Sequence, residues 1–178
     1  MFKQYALDVA TALSGISQEK VEALVDLLRR AKFQNASVYL VGNGGSAATA
    51  SHAANDLVKT AGIRAVSLAD ATPTLLAYGN DNGWENMFAE FLRKVLLPQD
   101  VVICISCSGN SPNVVEALKM VKSHAMPLLR SAVLTGANYD CALSALGPDV
   151  CIFVPFRDIR VQEDCHLAIL HYAAGAMG

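Results

Sequence analysis

Apolar positions in this chain fall into two kinds of stretch that alternate along it. In short runs nearly every residue is apolar: "ASVYLV" ending at Val41, "DVVICIS" ending at Ser106, "LRSAVLT" ending at Thr135 and "DVCIFV" ending at Val154. "GIRAVSLAD", ending at Asp70, is a fifth such run, placed second in the chain. Continuous apolar runs of this length are what strands covered on both faces require. Between them lie longer segments with helical spacing. Leu7 to Phe33 carries Val21, Leu24, Val25, Leu27 and Leu28, with Ser17 as a candidate cap. "TPTLLAYGNDNGWENMFAEFLRKVL" reads as two helices broken at "GNDNG", "SPNVVEALKMVKSH" as a loop and helix, and "DIRVQEDCHLAILHYAAGAM" as a final helix. The alternation predicts an α/β protein: a three-layer αβα sandwich around a five-stranded parallel sheet. Nothing resembles a linker or a repeat. A single domain over residues 1–178 is expected, with residues 1–35 as a helical N-terminal region and 36–178 as the sheet unit.

Composition narrows the setting. Of 178 residues, 53% are hydrophobic and only 17% charged. So apolar a composition points to wide buried surfaces, subunit interfaces among them, and the helical N-terminal region and final helix predict an oligomer. A net charge of −2 gives no general attraction to nucleic acid or an anionic membrane. No apolar run is long enough to span a bilayer, and the first residues have no signal-peptide pattern, so a cytoplasmic protein is expected. Cys104, Cys107, Cys141, Cys151 and Cys165 are odd in number and mostly embedded in apolar runs, which reads as reduced thiols. Cys104 and Cys107 form a C-x-x-C, but a strand precedes it and "SGNSPN" follows, so the spacing is incidental to a redox motif.

Ligands of open parallel sheets bind beyond the carboxyl ends of the strands. After the first strand come Asn43, Gly44, Gly45 and Ser46, which lead into a helix carrying His52 and Asp56 four residues apart. After the third come Ser106, Cys107, Ser108, Gly109, Asn110 and Ser111, with Pro112 opening a helix. Three hydroxyls beside a helix N-terminus suit an anion, with no carboxylate expected nearby to repel it. Ordinary helix capping by Ser111 is the plainer account of the same residues. "GNGGS" lacks the third Gly of a dinucleotide fingerprint and no Lys follows it as in a P-loop, which argues against a nucleotide.

Taken together, "VGNGGSAATASH", "GNDNGWE", "SCSGNSPN" and the final "E-x-x-H-x-x-x-x-H" resemble the sugar isomerase (SIS) domain family, and within it the phosphoheptose isomerase branch. The resemblance runs from the N-terminal helices to His171. It implies a flavodoxin-like sandwich, usually a homotetramer with active sites at subunit interfaces. It implies aldose–ketose isomerisation of sedoheptulose 7-phosphate through an enediol, in heptose or lipopolysaccharide biosynthesis. Ser106, Ser108 and Ser111 would hold the phosphate, with Cys107 among them. Asn43, Gly44, Gly45 and Ser46 would line the sugar, with Asn80 and Asp81 nearby. The family's zinc site takes a His and a Glu four apart on one helix, and a Gln and a His eight apart on the last.

This sequence departs from that pattern twice. Asp56 stands where the family has Glu, and Glu163, eight residues before His171, stands where it has Gln. Gln162, nine residues before His171, falls on the opposite helix face, whereas Glu163 lies about 80° away. The implied metal set is therefore His52, Asp56, Glu163 and His171, suited to Zn²⁺ and open to other divalent ions. Taken without the resemblance, the same histidines read as satisfied structural side chains, as do His124 and His166. Asp56 and His171 correspond to the family's acid–base pair, and Asp56 and Glu163 would also meet substrate. Isomerisation of a different phosphosugar remains open, as does a non-catalytic phosphosugar-binding regulator of the kind that associates with the bacterial replication initiator.

Overall fold

The structure, a computed structural model, describes residues 1–123 and 128–177. His124 lies outside them. Two N-terminal helices, α1 (Phe2–Ser14) and α2 (Gln18–Phe33), precede the sheet. Ser17 does cap α2, its hydroxyl accepting from the Lys20 N–H. Five strands follow: β1 (Ser37–Val41), β2 (Arg64–Ser67), β3 (Val101–Ser106), β4 (Arg130–Thr135) and β5 (Val150–Phe153). All are parallel, in the order β2-β1-β3-β4-β5. That order is the flavodoxin-like one, whose topological switch lies between β1 and β3.

Connecting helices fill the two outer layers. α3 (Gly44–Lys59) and the last helix, which spans Ile159–Gly175, pack with α1 and α2 on one face over Leu40, Ile103, Ile105 and Leu134. On the other face α4 (Thr72–Asn82), α5 (Met87–Val95) and α6 (Pro112–Ser123) pack over Val41, Val102, Cys104 and Val133. Because strand side chains alternate faces, the two cores draw on alternate residues of β3. A short α7 (Ala142–Ala145) follows β4, and the last helix is therefore α8. At the amino ends of the central strands, opposite the ligand-binding end, the buried Asp100 carboxylate accepts from the Ser37 and Leu97 N–H groups, both at 2.8 Å. Its charge is thus met by fixed dipoles that tie β1 to the start of β3.

One expectation needs correction. The second strand stops at Ser67 rather than reaching Asp70. Leu68–Asp70 form a 3₁₀ turn, closed by a bond from the Ala71 N–H to the Leu68 carbonyl. The break expected within "GNDNG" is found, at its last residue. α4 continues through Asn82, and Gly83, with a φ of +85°, is what ends it. Asn80 and Asp81 are therefore exposed residues of a last helical turn, bonded side chain to side chain at 2.9 Å.

Candidate functional site

β1 and β3 end side by side at the switch point, so the two loops singled out in the sequence meet there. The serine loop leaves β3 at Ser106, which is buried. Its hydroxyl lies 3.1 Å from that of Ser111 and 3.4 Å from that of Ser108. The three hydroxyls thus form one cluster at the start of α6. Gly109, at φ +65°, makes the tight turn between them, and a side chain there would overlap Cys141 and Thr135. The α7 region braces this turn from below. The Leu143 N–H donates to the Gly109 carbonyl at 3.0 Å, and the Ala142 N–H to the Asn110 side chain at 2.8 Å.

The glycine turn is fastened to this loop. Asn43, the N-cap residue of α3, exchanges two hydrogen bonds with Asn113 on the first turn of α6, at 2.8 and 2.9 Å. Asn113 is fully buried, so the reciprocal pair satisfies its amide away from water, while Asn43 is half-buried. The side-chain amide of Asn43 thereby joins the two loops. Gly42, Asn43, Gly44 and Asn80 line a cavity of about 370 Å³, walled by Leu75, Leu76 and Phe88. Asp81 is absent from that lining. Ser46 is buried on the first turn of α3, beside Cys107.

Burial pushes the Cys107 thiol up to about 11, and the negative charge of Glu163 adds to the effect. Cys107 is a thiol here and not a nucleophilic thiolate. Its sulfur lies 4.0 Å from Nδ1 of His166. His166 is fully buried, and burial pulls it down to about 4, so its ring is neutral. Its Nε2–H donates to the Thr135 carbonyl at 3.1 Å, which leaves Nδ1 to accept from the thiol. A structural role was expected for His166, and these partners fit one.

The second group forms on the outer faces of α3 and α8. His52 and Asp56 are about two and three turns along α3. His171 approaches from α8. Its Nε2 lies 2.9 Å from Nε2 of His52, and Asp56 Oδ2 lies 3.4 and 3.5 Å from the two. These three residues offer ligand atoms within 4.8 Å of one another, the only such group of three or more among the described residues. Nitrogen donors on a tetrahedral zinc stand about 3.3 Å apart at normal bond lengths, so the spacing and the donor types fit the ion. Both histidines are about half exposed and the carboxylate is more enclosed.

Glu163 does not join them. Eight residues of α8 separate it from His171, about 12 Å along the axis. Its carboxylate lies instead against Gly45, where any side chain at position 45 would collide with it. The correct angular phase therefore did not make a shared ligand set. The serine loop also has a carboxylate for a neighbour after all, supplied by α8. Gln162, set aside in the sequence, is buried and donates to the Phe156 carbonyl at 2.6 Å.

Residues 2–129 match the family model of the SIS domain. A phosphoheptose isomerase of Thiobacillus denitrificans is 31% identical over 180 residues, covering 98% of this chain and 88% of that protein. Another, of Geotalea daltonii, is 38% identical over 168 residues, covering 89% and 84%. Among solved structures, the phosphoheptose isomerase of Neisseria gonorrhoeae aligns with a TM-score of 0.89 at 27% identity, covering 99% of this chain and 96% of that one.

Proposed function

Since the chain belongs to the SIS-domain family, among its phosphoheptose isomerases, we propose that it interconverts sedoheptulose 7-phosphate and D-glycero-D-manno-heptose 7-phosphate. The observation that carries this reading over simple phosphosugar binding is the convergence of His52, Asp56 and His171 from two helices. A binding module has no need of a carboxylate and two imidazoles aimed at one point.

The reaction moves a proton between C1 and C2 through an enediol, and needs a base, an acid and stabilised oxygens. The serine loop would seat the phosphate, using its hydroxyls and the N-terminus of α6. Asp56 would take the proton from carbon, and His171 would move one between the oxygens. His52, Asp56 and His171 are the residues that would hold Zn²⁺ or another divalent ion. Such an ion, when bound, supplies Lewis-acid stabilisation of a sugar oxygen. Incubation with sedoheptulose 7-phosphate, followed by NMR for the aldose with and without added Zn²⁺, tests the reading. Absence of aldose in both arms would overturn it.

The protein would act as an oligomer, most simply a tetramer. Phe2, Phe33, Leu76 and Trp84 are large apolar side chains left more than half exposed on one chain. Asp56 also sits roughly 16 Å along α3 from Gly45, so a neighbouring chain would bring its serine loop toward this triad. Light scattering should give a mass of several chains at micromolar concentration. A stable monomer of 18.9 kDa would defeat the assembly and weaken the catalytic reading with it. No described helix is long and apolar enough to cross a membrane.

A further inference from the structure

The Cys107 side chain takes no part in the hydroxyl cluster of its sequence neighbours. Its sulfur lies 4.0 Å from Nδ1 of His166 on α8, and beside the buried Ser46 on the first turn of α3. His166 sits among the buried apolar residues Cys165, Ile169 and Leu170 of its own helix. A fully buried imidazole there carries a desolvation cost that an apolar side chain would avoid. Both of its nitrogens are nevertheless engaged, and both at the strand ends where the serine loop begins. Nε2–H donates to the carbonyl of Thr135, the last residue of β4, which also accepts from the Val154 N–H at 2.9 Å. That bond fixes the tautomer, so Nδ1 faces the thiol as an acceptor. The backbone of the loop is secured separately, by the Gly136 N–H donating to the Cys107 carbonyl at 3.0 Å. What the thiol–imidazole contact adds is the height of Cys107 against α8, and with it the placement of Ser106 and Ser108 on either side.

We propose that Cys107 and His166 are a pair of positioning residues, whose hydrogen bond holds the serine loop at the height where the hydroxyls of Ser106, Ser108 and Ser111 converge. Neither side chain touches the reacting carbons. The pair acts through the loop and sets how tightly the substrate is held, and it joins the loop to the same helix that carries His171. His166 serves as the fixed post, because it is neutral, buried and tied to β4. Cys107 serves as the adjustable arm, because a thiol bonds weakly and at long range.

This inference rests on the phosphosugar reading, and its test separates the two. Affinity for sedoheptulose 7-phosphate, steady-state kinetics and thermal unfolding are measured on the wild type, Cys107→Ala, His166→Gln and His166→Asn. In His166→Gln the longer amide reaches the place of Nε2 and keeps the bond to Thr135 alone. In His166→Asn the amide oxygen takes the place of Nδ1 and can still accept from the thiol. Losing one hydrogen bond to the loop should weaken binding about fivefold in Cys107→Ala and in His166→Gln. The loss should fall on KM, with kcat moved less. The double variant Cys107→Ala/His166→Gln should be no weaker than either single, as expected of two residues acting through one contact. His166→Asn should recover the wild-type affinity whatever it does to thermal stability. A merely structural His166 would lower stability in both of its variants without that division between them. Cys107→Ala decides the matter alone if neither His166 variant folds. Unchanged affinity in Cys107→Ala, or equal loss in His166→Gln and His166→Asn, overturns the proposal and leaves the isomerase reading intact. Failure of the wild type to bind the sugar phosphate overturns both.

Discussion

Asp56→Asn should lose turnover of sedoheptulose 7-phosphate by at least about 100-fold, the usual contribution of a positioned general base. The substitution keeps the shape of the side chain and removes its charge and basicity. Oδ2 of Asp56 lies between two imidazoles at 3.4 and 3.5 Å, so the same change also weakens any ion held there. Metal content is therefore measured alongside, and rates are compared at saturating Zn²⁺. Phosphosugar affinity should be nearly unchanged, because the serine loop is remote from Asp56 on the same chain. Asp56→Glu lengthens the reach by one methylene and should keep or raise activity on the heptose phosphate. Wild-type turnover by metal-saturated Asp56→Asn would show that the base lies elsewhere. His171→Ala gives a companion result: excess metal should fail to restore isomerisation if His171 moves a proton.

Ser108→Asp should abolish phosphosugar binding. The Ser108 hydroxyl sits 3.4 Å from that of Ser106, inside the cluster proposed to ring the phosphate. A carboxylate there would lie within about 4 Å of a dianion, where repulsion in a partly solvated cleft costs at least about 100-fold in affinity. Ser108 is exposed, so the fold should tolerate the change, and unaltered thermal unfolding would verify that. Unchanged affinity in a folded Ser108→Asp protein would move the phosphate site off this loop.

Much of the architecture was readable from apolar runs, because strands buried on both faces leave an unbroken signature. β3 is the clearest case, with all six residues buried. The end of β2 was not readable: Leu68 is as buried as a strand residue, so apolarity continues while the backbone has already turned. "GNDNG" was readable as a break between two helices, and its last glycine makes that break after an exposed, polar last helical turn. The site divides along similar lines. Helical spacing put His52 and Asp56 on one face of α3, and the position of "SCSGNS" after a strand gathered the serine hydroxyls at one strand end. For Glu163 the angle to His171 was right, but a metal site also needs the same height on the helix, and 12 Å separates them. Asn113 stood in plain view within "SCSGNSPN", but its partner is 70 positions away, and a single sequence carries no signal for such a pairing.

That pairing bears on how this protein can change over evolutionary time. Asn43 and Asn113 satisfy each other's amides, and Asn113 has no access to water. Replacing Asn43 alone strands the buried amide of Asn113, at a cost of about 1–3 kcal/mol, and replacing Asn113 leaves the half-buried Asn43 without its partner. Intermediates bearing one substitution are therefore selected against. The two positions are free to drift only together, as one heritable unit, and a change at one should be accompanied in descendants by a compensating change at the other.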